Sequence, residues 1–307
     1  MSASPDPSGV LLRPLLARAS EQLRQAGVDS PESDARLLLA HVLGTSPSGL
    51  LLLDRVDPSA ASALGGLVDE RARRIPLQHL TGEAWFRHVR VQVGPGVFVP
   101  RPETEVMTGW AVDQLRTLLD SGRMPRVVEL CAGSGAISKA IASEAPEVEL
   151  HAVELSEQAG HWAAGNLAGT GVQLYVQDMA TALPELDGTV DLVIANPPYI
   201  PLDAYLSVPP EVRDHDPAVA LFSGDDGLDA IRVVAEVAAR LLRAGGLVCV
   251  EHADAQGESA PALFTHSGSY RQVRDQLDLG GRARFVTAVR RADERARAPC
   301  DMAGLEE

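Results

Sequence analysis

Val127-Val128-Glu129-Leu130-Cys131-Ala132-Gly133-Ser134-Gly135 is a short apolar run that breaks into a glycine turn. Such a run reads as a buried strand, and glycines at 133 and 135 permit a loop that lets backbone come close to a nucleotide-like cofactor. Further strand-length apolar segments follow at 148–154, 172–177, 191–195 and 246–251, with segments of helical period between them, and a helix near 103–119 precedes the first. That alternation predicts an α/β fold, a doubly wound sheet of parallel strands. Tyr270 to Asp278 and Arg282 to Arg291 read as two antiparallel strands closing one edge.

Upstream of this sheet the pattern changes. Leu12, Leu16, Ala19 and Leu23 share one helical face, and Ala35, Leu38, Leu39 and Val42 another, so residues 1–80 read as a small helical bundle. Ser30-Pro31-Glu32 supplies an N-cap, a first-turn proline and an acidic first turn, while Gly27 and Gly44 suit helix C-termini. A separate helical module ahead of a catalytic domain suits recognition of a macromolecule. Between about 83 and 99 the period becomes two, with Val89-Arg90-Val91-Gln92-Val93, Gly94-Pro95-Gly96 and Val97-Phe98-Val99 reading as a β-hairpin that links the domains. The expected division is therefore a bundle at 1–80, a hairpin at 81–101, a catalytic domain at 102–292 and a polar, disordered tail at 293–307.

Composition narrows the function classes. With 307 residues and 45% hydrophobic content the chain can bury a full core. The formal net charge of −15, with Lys139 the only lysine, argues against a protein that holds nucleic acid stably through phosphate contacts. Arg71, Arg73 and Arg74 cluster, but arginines on a helix read first as a solvated face. Cys131, Cys249 and Cys300 share no metal-ligand spacing, and the first two lie in apolar segments, which suits free thiols in a reducing cytoplasm. Neither a signal sequence nor a stretch long enough to span a bilayer is apparent, so a cytoplasmic protein free of the membrane is expected. Nothing suggests an obligate partner copy, and a monomer is the default.

Acids recur at successive strand ends. In an open parallel sheet ligands sit outside the carboxyl ends of the strands, where Cys131, Ala132, Gly133, Ser134 and Gly135 would lie, and the amides of Gly135 and Ala136 would open a helix whose positive end favours a carboxylate. Glu129, just before the turn, suits an ammonium group. Glu154, followed by Leu155 and 19 positions past Gly135, is placed to accept both hydroxyls of a ribose. Asp178 can bind an adenine amino group, with Met179 packing on the ring. Together these imply an adenosyl ligand, and the absence of G-x-G-x-x-G and G-x-x-x-x-G-K-[ST] removes the usual support for NAD and ATP.

Asn196-Pro197-Pro198-Tyr199 follows the apolar run Asp191 to Ala195 and supplies acceptors and an aromatic wall at a strand mouth. The Asn196 Oδ1 and the Pro197 carbonyl can receive the N–H groups of a planar amine or amide. The prolines remove competing backbone donors, and Tyr199 can stack on the planar group. With an adenosyl ligand, this arrangement predicts a methyltransferase acting on planar nitrogen.

Motifs outside this short one carry a more specific likeness. Pro76-Leu77-Gln78-His79-Leu80-Thr81-Gly82, Val99-Pro100-Arg101-Pro102-Glu103-Thr104-Glu105, and Glu211-Val212-Arg213-Asp214 leading into Asp216-Pro217 resemble the HemK/PrmC family, the peptide chain release factor glutamine methyltransferases. The resemblance runs from the helical bundle through Glu251-His252 to the final strands. It implies a Rossmann-like class I S-adenosylmethionine-dependent methyltransferase that methylates the glutamine side chain of the Gly-Gly-Gln loop in class 1 release factors and leaves S-adenosylhomocysteine. By the same resemblance Asn196 to Tyr199 bind the glutamine, Phe86 lines its pocket, Cys131 to Gly135, Glu154, Met179 and Asn196 contact the cofactor, and Arg101 and Glu103 support the pocket. The chain departs from the family pattern at Ala132, where threonine is usual, at Met179, where an aromatic is frequent, and at His215-Asp216, which replaces an aromatic-glutamate pair. None of these removes a reacting group.

Two other readings share parts of this pattern. An adenine amino-methyltransferase on DNA or RNA would use the same Asn196–Tyr199 chemistry but would want a basic cleft. The non-enzymatic reading is a cofactor-binding interaction protein with vestigial activity, and intact Asn196, Gly133, Gly135 and Glu154 count against it. His252 reads as a core histidine rather than a base.

Overall fold

The computed structural model describes residues 9–292, so the tail expected at 293–307 lies outside the described residues. The N-terminal elements are β1 (Val10–Leu11), α1 (Leu12–Gln25), α2 (Pro31–Val42), β2 (Arg55–Val56), α3 (Pro58–Ala72) and α4 (Leu77–Thr81), with β1 and β2 paired antiparallel. Leu12, Leu15, Ala19 and Leu23 of α1 pack with Ala35, Leu38 and Leu39 of α2 and Leu64 and Val68 of α3. Leu15 is buried where Leu16 was expected, and Leu16 is only partly covered, a shift of one position within the same stripe. Pro31 opens α2 as expected, but the Ser30 hydroxyl makes no cap bond. Asp57 does cap α3, accepting the Ser59 N–H at 2.7 Å.

β3 (Glu83–Phe86) and β4 (Val89–Gln92) pair as a two-stranded hairpin. Its turn is Arg87-His88, with Arg87 at φ 51°, rather than the glycine-proline stretch. Gly94-Pro95-Gly96 does turn, the Val97 N–H reaching the Gly94 carbonyl at 3.4 Å, yet no strand follows it. The alternation of Val97 and Val99 reflects burial, since both are fully covered. Arg87 holds the tight turn by donating its Nη2 to Glu144 at 2.8 Å.

The remaining elements are α5 (Pro102–Asp120), β5 (Arg126–Leu130), α6 (Ala136–Glu144), β6 (Glu149–Glu154), α7 (Glu157–Leu167), β7 (Gln173–Val176), β8 (Val190–Ala195), α8 (Pro210–Arg213), α9 (Asp229–Leu241), β9 (Leu242–Glu251), α10 (Ser259–His266), β10 (Tyr270–Leu277) and β11 (Ala283–Arg290). The sheet runs β10-β11-β9-β8-β5-β6-β7. The five strands β5 to β9 pair in parallel, and β11 lies antiparallel to β9 and β10. This is the expected doubly wound sheet with an antiparallel edge. All six residues of β8 are buried, as a strand covered on both faces requires. From β5 the chain winds outward through β6 to β7 and returns to β8 on the other side, so the strand order reverses between β5 and β8. Such a switch point leaves a crevice at the carboxyl ends of the two strands.

By compactness the chain divides into two units. One holds the N-terminal segment up to Ala84 with Gln92–Val99 and Ser207–Pro217; the other holds Trp85–Val91, Pro100–Leu206 and the chain from Ala218. Within the first, two of the clustered arginines are not a solvated face. Arg71, 7% exposed, donates Nε to Asp34 at 2.8 Å and Nη2 to Glu211 of α8 at 3.1 Å, and Arg74 Nη2 reaches Glu211 at 2.6 Å. Only Arg73 stays largely exposed. Among the described residues no helix is long and apolar enough to cross a membrane, and no cluster of acidic, histidine and cysteine side chains could hold a metal ion.

Candidate active site

Register brings the strand ends into one line. Leu130 lies opposite both Val153 and Ala195, and Ala195 lies opposite Val250. The next residue on each strand is therefore Cys131, Glu154, Asn196 or Glu251. A thiol, an amide and two carboxylic acids thus emerge in one row along the sheet's carboxyl edge, with the switch point between Cys131 and Asn196.

The glycine loop is shaped by its own hydrogen bonds. The Ala132 N–H reaches the Val153 carbonyl at 3.0 Å, and the Gly133 N–H donates to Glu154 Oε2 at 2.7 Å. Cys131 sits at φ 59°. The two expected glycines differ in what they do. A side chain at Gly133 would meet nothing within 4 Å, so that face is open, whereas one at Gly135 would press on Leu167 of α7 from 3.0 Å. The Gly135 N–H is also committed, to the Ala132 carbonyl at 2.8 Å. Gly135 therefore serves helix packing, and its amide is not offered to a ligand as expected. Ser134 is buried, and its carbonyl accepts from Asn166 Nδ2 at 2.9 Å.

Glu129 is fully buried. Its Oε2 accepts the Ser138 N–H at 2.9 Å and the Ser138 hydroxyl, so it ties down the first turn of α6. Its Oε1 has no partner. Burial pushes the Glu129 carboxyl up to about 8, against the two bonds from Ser138. Glu154, 8% exposed, accepts from Gly133 on one oxygen and from the Ser156 N–H, at 2.8 Å, on the other. Since a carboxylate has about four acceptor sites, each oxygen keeps one for a ligand.

Asp178 is exposed, and its Oδ1 accepts the Ala180 N–H at 2.9 Å; Leu155 is 58% exposed. Met179 Sδ lies 3.7 Å from the Cys131 Sγ, which joins these two side chains into one apolar, polarisable wall. Burial, with the neighbouring carboxylates Glu154, Glu129 and Asp178, raises the Cys131 thiol, so it stays protonated and is no nucleophile. Phe86 is wholly covered, and the exposed aromatic of its strand is Trp85 at 68%.

At the end of β8, Asn196 Nδ2 donates to Thr104 Oγ1 at 3.1 Å. Among the described residues nothing donates to Asn196 Oδ1 or to the Pro197 carbonyl. Tyr199 is anchored at both ends: its hydroxyl donates to Glu251 Oε1 at 3.1 Å and its carbonyl accepts Gln256 Nε2 at 3.0 Å. Burial and the Glu251 charge raise the Tyr199 phenol, which keeps its proton. Thr104, Glu251 and Gln256 were not singled out from sequence as site residues. Glu251 carried a usable signal, an acid at a strand end like Glu129 and Glu154. His252 next to it is a satisfied core residue, its ring nitrogens 2.8 Å from the Ala253 carbonyl and 3.0 Å from Asp275 Oδ1.

Comparison with known proteins decides the family. Residues 14–82 match the PrmC N-terminal domain and residues 90–204 the methyltransferase small domain. The release factor glutamine methyltransferase of Streptomyces coelicolor is 50% identical over 278 residues, covering 91% of this chain and 98% of that protein. The chain belongs to the release factor glutamine methyltransferase family. The Mycolicibacterium smegmatis member is 48% identical, again over 91% of this chain and 98% of its own length. A relative of different stated activity, the 4-amino-L-phenylalanine/4-methylamino-L-phenylalanine methyltransferase of Streptomyces pristinaespiralis, is 41% identical over 83% of this chain and 87% of that protein. Among solved structures the hMettl16 catalytic domain superposes with a TM-score of 0.50 at 11% identity, covering 66% of this chain and 74% of that one, which supports the class I methyltransferase fold. As a release factor glutamine methyltransferase family member the chain is an enzyme, and methyltransferases of this fold in general draw their methyl group from S-adenosylmethionine.

Proposed function

We propose that this chain methylates the side-chain amide of the glutamine in the Gly-Gly-Gln motif of class 1 peptide chain release factors, using S-adenosylmethionine and so tuning translation termination. The observation that carries this reading is the pair of unfilled acceptors, Asn196 Oδ1 and the Pro197 carbonyl, at the mouth of the switch strand. An amide nitrogen is a poor nucleophile because its lone pair is conjugated with its carbonyl. Positioning and charge stabilisation must therefore lower the barrier, and a strong base is not required. Asn196 and Pro197 hold the two N–H hydrogens and turn the nitrogen lone pair in line, Pro198 stiffens the loop, and Tyr199 covers the amide plane. When bound, S-adenosylmethionine supplies an electrophilic methyl group whose carbon–sulfur bond breaks as the carbon–nitrogen bond forms, S-adenosylhomocysteine leaves, and one proton passes from the amide to water.

The residues present fit that donor. The unpartnered Glu129 Oε1 suits its ammonium, the spare acceptor sites of Glu154 its ribose hydroxyls, and the open face of Gly133 close backbone approach. Asp178 would take the adenine amino group, and Cys131 with Met179 would form the ring's wall. Ala132, Ser134, Gly135 and Leu155 shape the loop. The free Glu129 carboxyl, at about 8, is mostly protonated at pH 7, and pairing with an ammonium favours its ionised form. Binding of S-adenosylmethionine at pH 7 is expected to release close to one proton, and its affinity to weaken as pH falls below about 8. Calorimetry in buffers of different ionisation enthalpy reads this directly. Glu129→Gln should bind more weakly with no proton release; unchanged release in that variant contradicts the assignment.

The helical bundle of residues 1–80 is proposed to recognise the release factor, the chain to act as a cytoplasmic monomer, and nucleic acid to have no stable contact with it. The 41% identical relative favours a second reading, an aromatic amine as methyl acceptor, because its named substrate also presents a nitrogen conjugated to a planar group. Mass spectrometry of an unmethylated release factor, 4-amino-L-phenylalanine and an adenine-bearing oligonucleotide, each incubated with the protein and S-adenosylmethionine, separates the readings. One added methyl mapped to the loop glutamine supports the proposal. Methylation of the small amine or of adenine, with none on the release factor, replaces it.

A further inference from the structure

Behind Asn196 stands a chain of hydrogen bonds whose hydrogens can be counted. Asn196 Nδ2 meets Thr104 Oγ1, and Thr104, 3% exposed in the first turn of α5, also hydrogen-bonds Glu251. Glu251 is 1% exposed, receives the Tyr199 hydroxyl on Oε1, and has no partner on Oε2. A hydroxyl has one hydrogen to give, and an ionised carboxylate only accepts. With Glu251 ionised, the Thr104 hydrogen goes to Glu251, and Thr104 can only accept from its other neighbour. Asn196 must then turn its NH2 toward Thr104, which leaves Oδ1 for the substrate. A proton on Glu251 reverses the direction: Glu251 donates to Thr104, the Thr104 hydrogen is released toward Asn196, and the amide can turn over to present NH2. That polarity repels the N–H it must receive.

We propose that Thr104 and Glu251 are positioning residues for methyl transfer, a relay in which the ionised Glu251 carboxylate fixes the orientation of the Asn196 amide through the Thr104 hydroxyl and holds Tyr199 by its phenol. The proposal rests on the reading of Asn196 as the group that holds the substrate nitrogen. The groups facing Glu251 come from two elements and the loop after β8. Thr104 and Glu103 lie on α5, Arg284 on β11, and Tyr199 follows β8. Burial pushes the Glu251 carboxyl up to about 7; the bonds from Thr104 and Tyr199 and the Arg284 charge favour ionisation, and Glu103 opposes it. The relay therefore holds its productive polarity above about pH 7 and loses it as pH falls.

The test pairs kinetics with a readout that needs no substrate. In wild type, kcat on an unmethylated release factor should fall with a single ionisation near 7. Glu251→Gln should lower kcat and flatten that profile, since a glutamine has no charge to lose. Thr104→Val should lower kcat at least tenfold with little change in KM for S-adenosylmethionine, and Thr104→Ser should restore it. A purely structural role would reduce stability and leave the pH profile in place. In parallel, the Asn196 side-chain NH2 signal in the nitrogen–proton NMR spectrum of the wild-type protein, assigned with Asn196→Ala, should titrate with the same midpoint. A pH-insensitive signal from 5.5 to 8.5, or a Glu251→Gln variant that keeps the acid limb, overturns the relay. If the NMR signal titrates but no release factor is methylated, the relay stands and the substrate reading fails.

Discussion

Asn196→Ala is expected to lower kcat by about a hundredfold to a thousandfold, the range seen when one preorganised polar group at a reacting centre is removed. The alanine removes Oδ1, one of two acceptors that hold the amide hydrogens, at the moment when charge develops on the nitrogen. It also removes the donor to Thr104. The fold should survive, because Asn196 is only partly buried and lies past the last residue of β8. Binding of S-adenosylmethionine should weaken far less than kcat falls. Kinetics on a release factor, with a melting curve beside them, make the check; a folded Asn196→Ala protein of ordinary kcat would sink the assignment of the site.

The second large effect is structural. Gly227 adopts φ +74°, and a Cβ there would lie 2.3 Å from the Tyr199 carbonyl oxygen and 2.8 Å from Gln256 Nε2. No L side chain fits at such a distance without moving backbone. The atoms displaced are the ones that fix the loop, since Gln256 Nε2 donates both to Tyr199 at 3.0 Å and to the Asp226 carbonyl at 3.2 Å. Gly227→Ala should destabilise the protein by about 3 kcal/mol or more, combining left-handed strain, overpacking and a broken buried hydrogen bond. It should also lower kcat through displacement of Tyr199. Gly188→Ala provides the contrast. Its φ is +67° but nothing lies within 4 Å, so only the conformational strain of about 1 kcal/mol applies. Equal midpoint shifts for the two variants in denaturant would show that the Tyr199 contact carries no weight.

Much of the architecture was legible because it is written locally. Strand-length apolar runs, helical stripes and breaks at glycine and proline follow from backbone geometry within a few residues, so the parallel sheet and its antiparallel edge could be read directly. The glycine loop, the acids Glu129 and Glu154 and the Asn196–Tyr199 stretch were legible for the same reason: strand ends in such a sheet converge, whatever lies between them. Where several turns were possible, local signals misled. Gly94-Pro95-Gly96 has stronger turn chemistry than Arg87-His88, yet the hairpin closes at the latter, where Arg87 meets Glu144 from a helix 57 positions away.

What the sequence by itself determined is the set of side chains at the strand ends and the order in which the strands present them. Tertiary structure alone decided how those groups are held. Thr104 meets Asn196 across 92 positions and Tyr199 meets Glu251 across 52, while Arg71 and Glu211 are 140 apart. No period or propensity encodes such pairs. They arise because sheet register sets Asn196 beside Glu251 and packing places Thr104 over both, and burial then makes each hydrogen bond count, since an unmatched polar group there has no water to turn to.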